Sequence, residues 1–325
     1  MLFSNYMNFQ TKIPISKSIF PIDYDSRIMS LGSCFAENIA DKFEYFKFQN
    51  IVNPFGIIFN AISIERIVNR IVNQELFTEK DIFYHNELWH SFEVHSSLSH
   101  SSKDEFLEKL NNLLQLSHLQ IIKLSHCIIT YGTSWVYRNI ETDKIVANCH
   151  KLPQKHFTKE LLSLANTQKS LENVVALIHS INKEAKIIFT VSPVRHIKDG
   201  FIENNVSKSI LLQSVYQLQQ TDKYKLKSEI YFPSYEIILD ELRDYRFYKP
   251  DMLHPSQTAI DYVWERFCET HISVEINLIM NEVSSIQKMI NHKPININSQ
   301  QNQLLLVKIR EKTIQLQARF PQIIF

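Results

Sequence analysis

Glycine is what this chain of 325 residues most lacks: only 4 occur, where the usual share of ~7% would give about 23. Glycine alone takes left-handed turns and close backbone approaches without penalty, so a chain this poor in it keeps it where other side chains fail. Gly32, Gly56, Gly132 and Gly200 are therefore the first places to look for a site. Other absences exclude whole classes. The 4 cysteines, Cys34, Cys127, Cys149 and Cys268, show no CxxC spacing, so no zinc or disulfide framework is written into the chain. No basic segment followed by an apolar one opens it, and no uncharged apolar run approaches ~18 residues, so neither a secretory leader nor a membrane span is expected. The expectation is a cytoplasmic protein with free thiols. An excess of one charge is missing too. Lys+Arg 35 against Asp+Glu 34 leaves +1, which offers no global field to nucleic acid or to an anionic membrane.

What is present is an ordinary globular composition, 44% hydrophobic and 21% charged, over a length that suits two domains or one large α/β domain with an appendage. Residues 27–31 read as a short buried strand ending at Gly32-Ser33-Cys34, and residues 35–43 repeat apolar positions at helical spacing. Strand, glycine turn and helix in succession form half of a βαβ unit. Further helices are expected over 58–72, 103–116, 159–182, 205–220, 235–245 and 256–270, the last with Pro255 before it. Strands are expected over 127–130, 145–148, 186–191 and 231–233. Strands alternating with helices predict a parallel sheet covered on both faces. After about residue 272 the texture changes to two helices joined by an Asn/Gln-rich stretch without glycine. We divide the chain into a body over 1–272 and a helical extension over 273–325, expected either to pack on the body or to mediate self-association into a homo-oligomer.

Two local patterns carry chemistry. Ligands of open parallel sheets bind beyond the carboxyl ends of the strands, where Gly32-Ser33-Cys34 would lie. The N–H groups opening the next helix carry partial positive charge there. Such a field lowers a thiol's pKa and makes Cys34 a nucleophile. The plainer alternative is a buried Cys34 with Ser33 as helix cap. In the second pattern, Asp251 and His254 stand three apart on a loop bracketed by Pro250 and Pro255. A rigid loop can aim an imidazole at a nucleophile from another strand while the aspartate orients the ring.

Gly32 to Ala36 spells GSCFA, and the chain resembles the GSCFA family, a branch of the SGNH/GDSL-type hydrolases. The resemblance continues through Asn53-Pro54-Phe55-Gly56, Tyr131-Gly132-Thr133-Ser134-Trp135, Asn148-Cys149-His150, Ser192 to Gly200, Asp244 to Tyr248 and Asp251 to Ser256. It spans roughly residues 10–270 and contains all four glycines. It implies a three-layer α/β/α fold of flavodoxin-like type. It also implies an acyl-ester hydrolase or acyltransferase acting on a small-molecule or glycan ester. Where that superfamily has Gly-Asp-Ser, this chain has Gly32-Ser33-Cys34, so its nucleophile falls on Cys34, with Ser33 as the alternative. His254 resembles the general base and Asp251 its orienting acid. Gly56 resembles the glycine whose amide faces the site. Gly132-Thr133 stand where a Gly-x-Asn block is expected, and Asn148 is the candidate for the missing amide. A cysteine nucleophile implies a thioester intermediate.

Arg195 and His196 follow a strand and should emerge at the same edge. Arg195 is placed either to grip a substrate carboxylate or phosphate in a fork or to bridge to Asp199 or Asp244. No metal, no cofactor and no nucleic acid are expected. The altered blocks leave a second reading, a ligand-binding protein on a hydrolase-like scaffold.

Overall fold

Alternation along the strands decides the layers. In the computed structural model, which describes residues 10–221 and 231–325, β1 (Arg27–Gly32) sends Met29 and Leu31 to one face and Ile28 to the other. Ser33 caps the following helix, α1 (Cys34–Tyr45), and β2 (Gln49–Val52) returns parallel to β1. Asn60 caps α2 (Ala61–Val72). A hairpin of β3 (Phe83–His85) and β4 (Leu88–His90) precedes α3 (Lys103–Ile122), capped by Ser102. β5 (His126–Tyr131) then joins the other side of β1. An antiparallel insert follows, in which β6 (Trp135–Asn139) lies between β7 (Lys144–Val146) and β8 (Phe157–Leu161). The chain continues through α4 (Leu164–Ile181), β9 (Lys186–Val191) and α5 (Phe201–Gln220). Tyr231 makes one parallel bridge to Phe189. A single turn, α6 (Ser234–Glu236), runs into a π-helical segment at Ile237–Leu242. Three helices close the chain: α7 (Gln257–His271), α8 (Val274–Ile290) and α9 (Gln300–Arg319).

The main sheet is parallel with the order β2-β1-β5-β9, the flavodoxin-like winding in which β1 has its two successors on opposite sides. Met29, Cys127, Ile129, Ile187 and Phe189 face α2, α3, α4 and α5 across one core. Ile28, Ile128 and Ile188 face α1 and α7 across the other. This is the three-layer α/β/α arrangement that the alternating pattern predicts. Six helices are capped by a Ser or Asn side chain, a local solution that needs no glycine.

Two expectations need correction. Residues 159–182 are not one helix. Phe157–Leu161 pairs with β6, and Ser163 caps α4 only at Leu164. The stretch 235–245 is not an α-helix either, because it widens to a π-helical turn and stops at Arg243, whose φ is 39°. The extension over 273–325 shares a core with the body: Val283 and Ile286 of α8 and Leu316 of α9 are buried with Phe43 and Trp264.

Candidate active site

The turn after β1 is built on Gly32. Its φ is +128°, and a Cβ there would stand 2.1 Å from the Thr130 carbonyl oxygen, so only glycine lets β1 and β5 end this close together. The Ser33 N–H donates to that same oxygen at 3.0 Å. Asn53, at the end of β2 with φ 40°, accepts the Gly32 N–H at 2.8 Å and donates to Glu37 Oε1 at 3.4 Å. Its side chain thus ties the turn to the first turn of α1. Ser33 is 2% exposed, and its hydroxyl accepts the Phe35 N–H at 3.3 Å. Cys34, the first residue of α1, is half-buried. Of the two candidate nucleophiles, the sulfur keeps access and the hydroxyl serves as the cap.

The thiol's electrostatics differ from the expectation. Burial, then the Glu37 carboxylate, push the Cys34 pKa up. Its own backbone N–H and the charges of Lys208 and Lys249 pull the other way without prevailing. A helix N-terminus is a modest field, and here desolvation with a carboxylate in the first turn outweighs it.

Lys208 was not singled out by sequence. It lies on the buried stripe of α5 with Leu211, Val215 and Leu218 and is 1% exposed. Its ammonium donates to the carbonyls of Gly132 at 2.5 Å and Ser192 at 2.6 Å, just beyond the ends of β5 and β9. Burial brings its pKa down to about 7. A helical register drawn through α5 would have shown a lysine on an otherwise inward stripe.

The loop carrying Asp251 and His254 is pinned at its base. Tyr248 bridges Pro255, and the Lys249 N–H donates to the His254 carbonyl at 2.7 Å. Asp251 Oδ1 accepts the Leu253 and His254 N–H groups at 2.9 and 3.0 Å, while Oδ2 lies 2.6 Å from His254 Nδ1. Those backbone donors first, then the imidazole, hold the Asp251 carboxyl at about 2. The contact at Nδ1 leaves Nε2 as the nitrogen able to exchange a proton. The loop reaches the sheet where the Arg195 N–H, beyond β9, donates to the Leu253 carbonyl at 3.3 Å. Lys249 of the same loop is near enough for its charge to act on Cys34. Both patterns therefore lie at the carboxyl edge of one sheet.

His196 joins them. Its ring is buried with Nε2 unpartnered, and burial, then the charges of Lys208 and His254, take its pKa down to about 3. It is neutral at any ordinary pH. Arg195 bridges to neither expected carboxylate: Asp199 pairs with Lys159 at 2.5 Å and Asp244 with Arg246 at 3.3 Å.

The proposed oxyanion donors are differently placed. The Gly56 N–H donates to the Asn53 carbonyl at 2.7 Å, and the Gly132 N–H to the Phe59 carbonyl at 2.8 Å, so neither amide is open to a substrate oxygen. Thr133 Oγ1 is bonded to Ser207 Oγ at 2.8 Å and accepts the Trp135 N–H. The Asn148 side-chain Oδ1 accepts the His150 backbone N–H at 2.8 Å. Among the described residues no hydrogen bond links Asn148 to Cys34 or His254.

Fold and site together define an open, parallel α/β/α protein with a thiol and a carboxylate-held imidazole at the carboxyl edge, beside the switch point of the sheet. The chain belongs to the GSCFA family, whose model matches residues 27–267. No curated protein matches it. Among solved structures, a carbohydrate esterase family 3 protein from Talaromyces cellulolyticus is similar with a TM-score of 0.36 and 10% identity, over 79% of this chain and 99% of that one. A likeness so loose says nothing of this chain's chemistry. Among the described residues no helix is long and apolar enough to cross a membrane.

Proposed function

We propose that the protein is an acyl-ester hydrolase or acyltransferase with Cys34 as nucleophile. The observation that carries this reading is a half-buried thiol and a carboxylate-held imidazole at one sheet edge, on loops more than 200 residues apart in the chain. Because burial and Glu37 keep the thiol protonated, its proton has to leave during attack. His254 Nε2 takes it as the Cys34 sulfur bonds to the acyl carbon, and the imidazolium returns it to the departing alkoxide. Asp251 stabilises the imidazolium and fixes its tautomer. Water, or an acceptor alcohol, then attacks the thioester, its proton passing through His254 back to the sulfur. The Cys34 N–H, which opens α1, is the candidate oxyanion donor in place of Gly56 and Gly132, since the Phe35 and Ala36 N–H groups are taken by Ser33.

Turnover of 4-nitrophenyl acetate by the full chain tests this. Cys34→Ala should lower kcat by at least about 100-fold, whereas Ser33→Ala should keep it and lose about 1 kcal/mol of stability with its cap. Full turnover by Cys34→Ala, or its loss in Ser33→Ala alone, removes Cys34 from the role. The second reading, a ligand-binding scaffold, draws on the raised Cys34 pKa and the engaged Gly56 and Gly132 amides. It requires the wild-type protein to show no turnover and no acetyl group on Cys34 by intact mass.

A further inference from the structure

A cleft of about 340 Å³ opens beside the His254 loop, near the small end of the range for ligand pockets. Arg195 lines it, with Phe201, Ile238, Tyr245, Tyr248 and Met252 among its walls. The Arg195 guanidinium lies close enough to Tyr248 for its charge to act on the phenol, and its Nε is buried without an acceptor. Among the described residues no carboxylate pairs with it. The cleft's other charges are answered nearby, Arg243 by Asp240 at 3.4 Å and Asp244 by Arg246 at 3.3 Å. Lys208 adds a second positive charge close enough to be repelled by Arg195.

A buried donor without an acceptor is costly to leave unmade, and the cost is relieved when an acceptor arrives. One unanswered guanidinium suits one negative charge. A planar carboxylate matches its fork, whereas a phosphate dianion would bring a second negative charge toward Asp244 on the cleft wall. The walls are aromatic and aliphatic, so the anion should be carried on an apolar body.

We propose that this cleft binds a carboxylate borne on an aromatic or aliphatic group, with Arg195 holding the carboxylate. Calling that group part of an ester substrate rests on the acyl-transfer reading above; the binding site itself does not. The substrate class that follows is the anionic ester whose carboxylate lies a few bonds from the scissile group, since Leu253 and Met252 of the cleft adjoin His254.

Isothermal titration of the full chain with sodium benzoate and with benzamide at pH 7 tests the site without any turnover. Benzoate should bind at least about 10-fold more tightly than benzamide. Arg195→Gln should bring benzoate down to the level of benzamide, and Arg195→Lys, which keeps the charge but not the fork, should weaken it at least about 5-fold. Cys34→Ala should bind benzoate as the wild type does. Equal affinities for the two probes, binding of neither, or wild-type affinity in Arg195→Lys overturns the proposal. Should Arg195→Gln fail to fold, the wild-type ratio and the lysine variant decide. A loss of the Cys34 role with benzoate binding intact would remove only the word substrate, and the reverse result would leave the nucleophile standing.

Discussion

Lys208 is a buried ammonium that no carboxylate among the described residues answers, bonded to two backbone carbonyls just beyond the ends of neighbouring strands. Its pKa of about 7 lies far below the ordinary 10.5, so the unfolded chain holds the proton more readily than the folded one. The folded protein therefore bears the cost of the buried charge in full below about pH 7. That cost fades as pH rises from 7 toward 10.5, so stability rises across that window. The two carbonyl bonds offset part of it. We expect urea unfolding of the wild type to gain about 3 kcal/mol relative to Lys208→Met between pH 6 and pH 10. Parallel pH profiles for the two proteins would mean that Lys208 does not titrate there. This residue was hidden in the sequence for a physical reason. Lysine nearly always lies at the surface, and only its register with Leu211, Val215 and Leu218 marks the exception. Asn53 shows no role in the sequence, because its hydrogen bonds run to Gly32 and Glu37 and exist only once β1, β2 and α1 are assembled. Asp251 and His254 were legible, since their contact spans three residues and needs no tertiary structure.

At the scale of elements, the β1 turn is the part most sensitive to change. Alanine at position 32 would need an unfavourable φ of +128° and a Cβ 2.1 Å from backbone, which cannot yield as a side-chain end would. Gly32→Ala should cost about 3–5 kcal/mol, combining backbone strain with forced separation of β1 from β5. A thermal melt within a degree or two of the wild type would contradict this account of the turn. The same comparison explains which elements sequence revealed. β1, β5 and β9 are short apolar runs buried on both faces, and such runs stand out from helical spacing. β8 did not, because Lys159, Glu160 and Leu161 are good helix formers, and only pairing with β6 makes them a strand. The one local signal was Ser163, a cap four residues past the start of what reads as helix.

The whole molecule brings the Cys34 thiol, the imidazole loop and the Arg195 cleft to one edge because β1, β5 and β9 run parallel and end together. No spacing in the sequence measures that convergence; the order of strands does. The support for that edge extends to the far end of the chain. α1, which begins at Cys34, packs Phe43 against Trp264 of α7 with ring centroids 5.0 Å apart. Met280, Val283 and Ile286 of α8 complete the same core. Tyr45 in α1 lies 3.2 Å from Ser284 through their hydroxyls, and its carbonyl accepts Gln287 at 3.0 Å. Removing residues 273–325 would open this apolar surface to water at roughly 25 cal/mol per Å² and leave α1 held on one side only. We expect the 1–272 chain to melt at least 10 °C below the full chain or to aggregate on expression. We also expect any acyl turnover to fall with it, although among the described residues none beyond 272 lines the Arg195 cleft. A 1–272 chain that melts cooperatively near the full-length temperature would show that the body stands without α8 and α9. The position of Cys34 would then depend on Gly32, Asn53 and the main sheet alone.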